Sequence, residues 1–349
     1  MKTFLIFLLM TTSILSTAQV VTWFEKLTGF KEISPENVRE NLTVEGNSFI
    51  SKVNEKRFDF GELEIPTLKE LKQRADSLKF ENNSIKVSEV VADVQQLHVD
   101  IQNENALFQA ASQFNLLEMV SPNVTPELGI ERYEYDHTQG PACAIACGAG
   151  TIYRNYFVKI GNQIGQTNDN QIDCLELIGR ELNNDKLNLW TMKNGYALIN
   201  QEGLLTINKT LAQYSNSERK SLKEKIKIGI QWNTEVTISD NKQKVSQIYC
   251  SALPVAYSHI EPFYWESFAR LILEATYEAT LYSALINYKK NGSNKVYLAL
   301  VGGGAFGNEP HWIIESIEKT IQKFKKYPLD VKIVSYGKSN PNIIKLINN

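Results

Sequence analysis

The chain has 349 residues, 43% hydrophobic and 22% charged, with a formal net charge of -2. This balance fits a globular protein of one large domain or two smaller ones, and the absence of a Lys and Arg excess argues against a general electrostatic grip on nucleic acid. Four cysteines are too few to staple a chain of this length, so its stability has to come from a core.

In chain order, Lys2 precedes an uncharged apolar stretch that ends in Ser16-Thr17-Ala18. Residues 1–18 therefore read as a cleaved secretory signal, which predicts a secreted or periplasmic protein. The apolar stretch, about 15 residues, is short of the roughly 20 needed to span a bilayer, so no stable membrane anchor is expected. Residues 19–80 read as an appended α+β module. Trp23, Phe24, Leu27 and Phe30 suggest a helix, and 48–53 with 57–65 suggest a hairpin turning at Asn54-Glu55-Lys56. A second helix follows Pro66, opened by Thr67 and Glu70 in capping-box spacing. No Pro-, Gly- or Ser-rich linker separates this module from the rest, so it is expected to pack on the main domain.

That domain, 84–349, opens with strands near 85–91 and 105–111. The connection 112–139 is long for an ordinary loop and carries Glu131, Glu134 and Asp136 in a charged, aromatic run, which makes it a candidate functional segment. Gly140-Pro141 then starts a helix of small residues. Its composition suits either close packing or close approach of a ligand. A helix near 173–182 precedes strands around 196–200, 225–230 and 244–250. A long helix over 265–288 feeds an apolar strand at 295–301; a helix over 310–326 and a strand at 331–335 close the pattern. The order predicts an α/β fold, with a mixed, largely parallel sheet flanked by helices on both faces and a ligand at the carboxyl ends of the strands.

The strongest chemical signal is the turn Gly302-Gly303-Gly304-Ala305-Phe306-Gly307-Asn308 between a strand and a helix. Glycines let backbone N–H groups approach a ligand, and the helix dipole puts positive charge at the same point, so a nucleotide diphosphate suits it. Arg154 is a candidate partner for its phosphate or, equally, for a structural salt bridge. Histidines at 98, 137, 259 and 311 are scattered, no zinc spacing occurs, and neither a metal nor a cofactor is implied. Cys143 with His137 as base is a cysteine-hydrolase alternative.

With this order in view, residues from about 84 to 337 resemble the macrodomain superfamily of ADP-ribose-binding and ADP-ribose-hydrolysing proteins, as a divergent member. Asp93 stands where that superfamily places an adenine-recognising aspartate, and Phe108-Gln109-Ala110-Ala111-Ser112 resembles its Asn-Ala-Ala-Asn strand end. The segment Gly140 to Gly150, with Cys143 inside it, is similar to the first glycine-rich loop and helix. Gly302 to Asn308 is similar to the diphosphate loop, with Phe306 walling the ribose end, and Tyr336 stands where an aromatic ring stacks on adenine. The resemblance implies binding of ADP-ribose, a related nucleotide diphosphate or an ADP-ribosylated protein, with hydrolysis of an ADP-ribosyl linkage as the enzymatic form. A recognition module without turnover is the alternative. Gln109 and Ser112 replace the usual asparagines, and Ala142 falls near an aspartate that one hydrolase branch uses to activate water, so that branch's mechanism does not carry over. Glu131, Glu134 and Asp136 remain as candidate catalytic acids.

Overall fold

A computed structural model describes residues 21–81 and 83–348 of the chain; the expected leader lies outside them. At its centre is a seven-stranded sheet in the order Glu62–Glu64, Gly229–Glu235, Lys244–Cys250, Leu107–Ala111, Lys295–Leu298, Asp330–Ser335, Lys86–Val91. The last five are mutually parallel. Gly229–Glu235 runs antiparallel to both of its neighbours. The fold is thus a mixed, largely parallel α/β sheet, as the alternation of strand and helix patterns predicts.

The central strand shows why helices cover both faces. Successive side chains of a strand point to opposite sides. Phe108 stacks on His98 of the helix Val94–Val99, while Gln109 donates to Thr280 of the long helix Pro262–Asn291. That long helix is buried along most of its length. It starts at a proline in the first turn and stops at Gly292, whose φ is 82°. The helices Leu68–Asp76, Gln201–Gln213 and Pro310–Phe324 pack against it.

The N-terminal part divides in two. Ser48–Ser51 pairs with Arg57–Asp59 around the expected turn, where Glu55 takes a φ of 58°. The expected second arm then breaks at Gly61, and Glu62–Glu64 leaves the hairpin to become an edge strand of the large sheet. The capping box at Thr67 and Glu70 is present, and Leu68, Leu71 and Ala75 join the main core. Only the part before Gly61 builds a second core. There Trp23, Phe24, Phe49, Phe58 and Phe60 pack with Leu117, Met119, Tyr133, Ile152 and Tyr156. The strand expected around 225–230 lies slightly later, at Gly229–Glu235.

Candidate functional site

The five parallel strands all end on one side of the sheet. There Asp93, Ser112, Ala252, Ala299 and Ser335 line a crevice of about 1000 Å³, the position where open parallel sheets take ligands. Two loops rise from those strand ends to form its walls.

The glycine turn forms one wall. Gly302 has a φ of 81°, and a Cβ on it would sit 2.5 Å from the Cβ of Ala252. Asn308 fixes the turn from below: its N–H donates to the Gly302 carbonyl at 2.9 Å, and its side-chain amide donates to the Leu253 carbonyl at 2.8 Å. Gly303 N–H is taken by Leu300 and Gly307 N–H by Gly304. Among the described residues, no acceptor is bonded to the N–H groups of Gly304, Ala305 and Phe306. All three residues line the crevice, and Gly304 has open space where a Cβ would go. The helix Pro310–Phe324 starts just behind, with no side-chain cap.

The facing wall begins at the helix Gln139–Ala146. Gln139 accepts from the Ala111 N–H at 2.8 Å and donates to the Gln109 carbonyl at 2.7 Å, tying the helix start to the strand end. The approach is so close that a Cβ on Gly140 would meet the Ala111 carbonyl oxygen at 1.9 Å. Glycine is required there by packing.

Beneath lies Glu118, 2% exposed and still part of the lining. The Ser112 hydroxyl donates to it at 2.7 Å, and Arg154 Nη2 reaches both of its oxygens at 3.2 and 3.3 Å. Arg154 also donates through Nε to the Leu116 carbonyl and lies 3.6 Å from the Tyr249 ring centroid. Burial raises the pKa of the Glu118 carboxyl from its ordinary value; Arg154 and the Ser112 hydroxyl oppose that rise. At one end Phe306, Tyr196 and Tyr257 pack together with ring centroids 5.0 to 5.7 Å apart.

Most residues picked out in the sequence meet at this crevice: Asp93, Ser112, Gly140, Gly302, Gly303, Gly304, Ala305, Phe306 and Tyr336 line it, as do Glu134 and Asp136. Asp93 also caps the helix Val94–Val99 by accepting from Gln95 N–H at 2.7 Å. Tyr336 is 80% exposed. Glu134 accepts the Trp23 N–H at 3.0 Å, and Asp136 accepts from the Thr138 N–H and hydroxyl.

Other candidates lie off the lining, for physical reasons. Gln109 points to the far face of the sheet, where its amide bonds Thr280 and its carbonyl oxygen accepts from Ala299 N–H. Arg154 is wholly buried against Glu118, so it is no phosphate ligand. Gly150 packs under the sheet, with a Cβ there 3.0 Å from Thr234 Oγ1. Gly307 and Asn308 shape the turn from behind, and Glu131 is off the lining, its backbone N–H held by Glu32. Cys143 is buried beneath its helix, accepts from Gln139 at 3.1 Å, and has its thiol pKa pushed well up by burial. His137 lines the crevice without it, so the cysteine-hydrolase pairing is not formed. Two lining residues are not singled out for the site by the sequence: Glu118, and Trp23, which reads only as part of a helix. The signal for Glu118 was there, a lone acid inside the apolar run Leu116-Leu117-Glu118-Met119.

Among the described residues, no group of three His, Cys, Asp or Glu side chains is placed to hold a metal ion, and no helix is long and apolar enough to cross a membrane. No protein-family model matches the chain, and no curated protein matches it. Among solved structures, it is similar to poly(ADP-ribose) glycohydrolase from Deinococcus radiodurans in complex with ADP-ribose. That likeness has 9% identity over 82% of this chain and 92% of the other, with a TM-score of 0.40. It is also similar to poly(ADP-ribose) glycohydrolase from Thermomonospora curvata bound to the inhibitor ADP-HPD, at 9% identity over 90% and 94% of the two chains, with a TM-score of 0.41.

Proposed function

We propose that the crevice binds ADP-ribose or a closely related nucleotide diphosphate, free or carried on a modified protein. One observation carries this reading: three adjacent N–H groups, on Gly304, Ala305 and Phe306, stand without an acceptor among the described residues on a glycine turn at the carboxyl ends of the strands. Successive free N–H groups of this kind make a concave site for an anion, and a pyrophosphate supplies enough oxygens to satisfy them. The rest of the lining suits the remainder of such a ligand. Asp93 keeps a second carboxylate oxygen for an exocyclic amine, and Tyr336 offers an exposed ring face for a base. The aromatic group of Phe306, Tyr196 and Tyr257 suits a sugar face at the other end.

The test is isothermal titration of the protein with ADP-ribose, with AMP and NAD as controls and Gly304→Glu as the comparison variant. Gly304 has room for a side chain and a negative φ, so the variant keeps the fold while placing a carboxylate where the diphosphate belongs. Selective binding of ADP-ribose, lost in the variant, is the expected result. Equal binding by the variant, or no binding to the wild type, would sink the assignment.

A further inference from the structure

The nucleotide reading uses Asp93, the glycine turn, Tyr336 and the aromatic group at one end of the crevice. The facing wall has no part in it. That wall is lined by Trp23 from the N-terminal part, by Val120, Glu134, Asp136 and His137 from the connection after Ser112, and by Ile145 from the helix Gln139–Ala146. The crevice, at about 1000 Å³, is at the top of the range of about 300 to 1000 Å³ that small-molecule sites occupy, a size that suits a ligand extending beyond the nucleotide.

Charge marks this wall off from the rest. Lys338, two positions beyond Tyr336, is the one lysine or arginine on the lining among the described residues, and the exposed Arg132 lies off it. Glu118 already has Arg154 as its counter-charge. Glu134 and Asp136 are held only by neutral donors among the described residues. Glu134 Oε2 accepts the Trp23 N–H, while Oε1 is buried with no hydrogen-bond partner among the described residues. Asp136 Oδ1 accepts both donors of Thr138. A buried carboxylate oxygen without a donor is costly, and a donor that arrives with the ligand would satisfy it. Tyr135, between the two acids, is 67% exposed and Val120 is 64% exposed. Tyrosine is among the side chains enriched where chains meet.

We propose that this wall is a docking arm for the polypeptide that carries the ADP-ribosyl group, and that it selects a cationic one. A lysine or arginine near the modified residue meets Glu134 and Asp136, with its aliphatic stem laid along Trp23 and Val120. The inference rests on the nucleotide-diphosphate reading above. The same two charges work against other occupants. An acidic peptide is repelled, and so is a polymer in which every further ADP-ribose unit brings another diphosphate into the arm.

The experiment titrates the full chain with three peptides that carry ADP-ribose through a non-hydrolysable linkage, flanked by lysines, by alanines or by glutamates, with free ADP-ribose as the reference for each protein. At low ionic strength the lysine peptide should bind about 10-fold tighter than the alanine peptide, and the glutamate peptide should be the weakest of the three. The lysine advantage should shrink at high salt, where partly exposed charges are screened. Asp136→Asn and Glu134→Gln should each reduce it by about 3-fold. It is read as the ratio of the lysine to the alanine peptide, so a general loss of affinity cancels. The wild-type salt series decides the matter if a variant fails to fold by circular dichroism. Equal affinity for the three peptides overturns the proposal, as does a lysine advantage that is insensitive to salt or survives both substitutions in folded protein. Failure of the wild type to bind free ADP-ribose is a separate result that removes the ligand reading itself.

Discussion

Behind the crevice wall, the His98 ring lies flat against Phe108, with centroids 3.9 Å apart, and Phe108 in turn stacks on Tyr297. Nδ1 faces the Val94 carbonyl at 2.7 Å, and Nε2 meets the side-chain nitrogen of Gln247 at 3.0 Å. The same Gln247 nitrogen donates to the Cys143 carbonyl while its oxygen accepts from Tyr249, so the amide must present a donor to His98. The imidazole is therefore neutral with its proton on Nδ1. A second proton would point at another donor inside the core. Burial accordingly lowers the His98 pKa from 6.5 to about 4. The sign follows from linkage. Between those values the unfolded chain binds the proton and the folded one does not, so stability is full above about 6.5 and falls as pH drops toward 4. We expect a loss of about 3 kcal/mol over that window from this residue, at about 1.4 kcal/mol per pKa unit. Urea denaturation at several pH values should show this slope, flattened in His98→Leu; an equal slope in the variant would remove His98 as its cause.

Among the elements, the turn from Gly302 to Asn308 depends on a side chain that lies off the crevice lining. Asn308 is buried behind the turn and holds it to Leu253. Asn308→Ala should therefore weaken ADP-ribose binding by about 10-fold, the cost of roughly one lost hydrogen bond to a preorganised site. Titration calorimetry measures it directly. Unchanged affinity would mean the turn is held without Asn308. Elements of this kind were legible because their signals are local: a strand, glycines and a helix start lie within about fifteen residues, and Thr67 with Glu70 announces its own capping box. What escaped was set by distant partners. Gln109 and Thr280 are 171 positions apart, and Glu118 meets Arg154 across 36. Arg154 reads equally as a phosphate partner or a structural salt bridge, because nothing near it in sequence shows that it is buried, and the second holds. Gly61 likewise gave no hint that the hairpin arm leaves to join another sheet, since its partner strand lies at Gly229–Glu235.

At the scale of the whole molecule, two cores meet at the crevice. The main core lies on both faces of the large sheet. The second is built by residues before Gly61 together with the long connection and the small-residue helices. The N-terminal part thus packs against the connection after Ser112, which has little regular structure of its own, and reaches the crevice through Trp23. Trp23 is where this is clearest, with its indole N–H on the Ile130 carbonyl and its backbone N–H on Glu134. Of the five tryptophans in the chain, Trp23 alone lines the crevice; Trp190, Trp232, Trp265 and Trp312 are buried elsewhere. The molecule consequently carries its own optical probe. Intrinsic fluorescence should change in intensity as ADP-ribose fills the site, while Trp23→Phe leaves the emission of the other four indoles constant through the same titration.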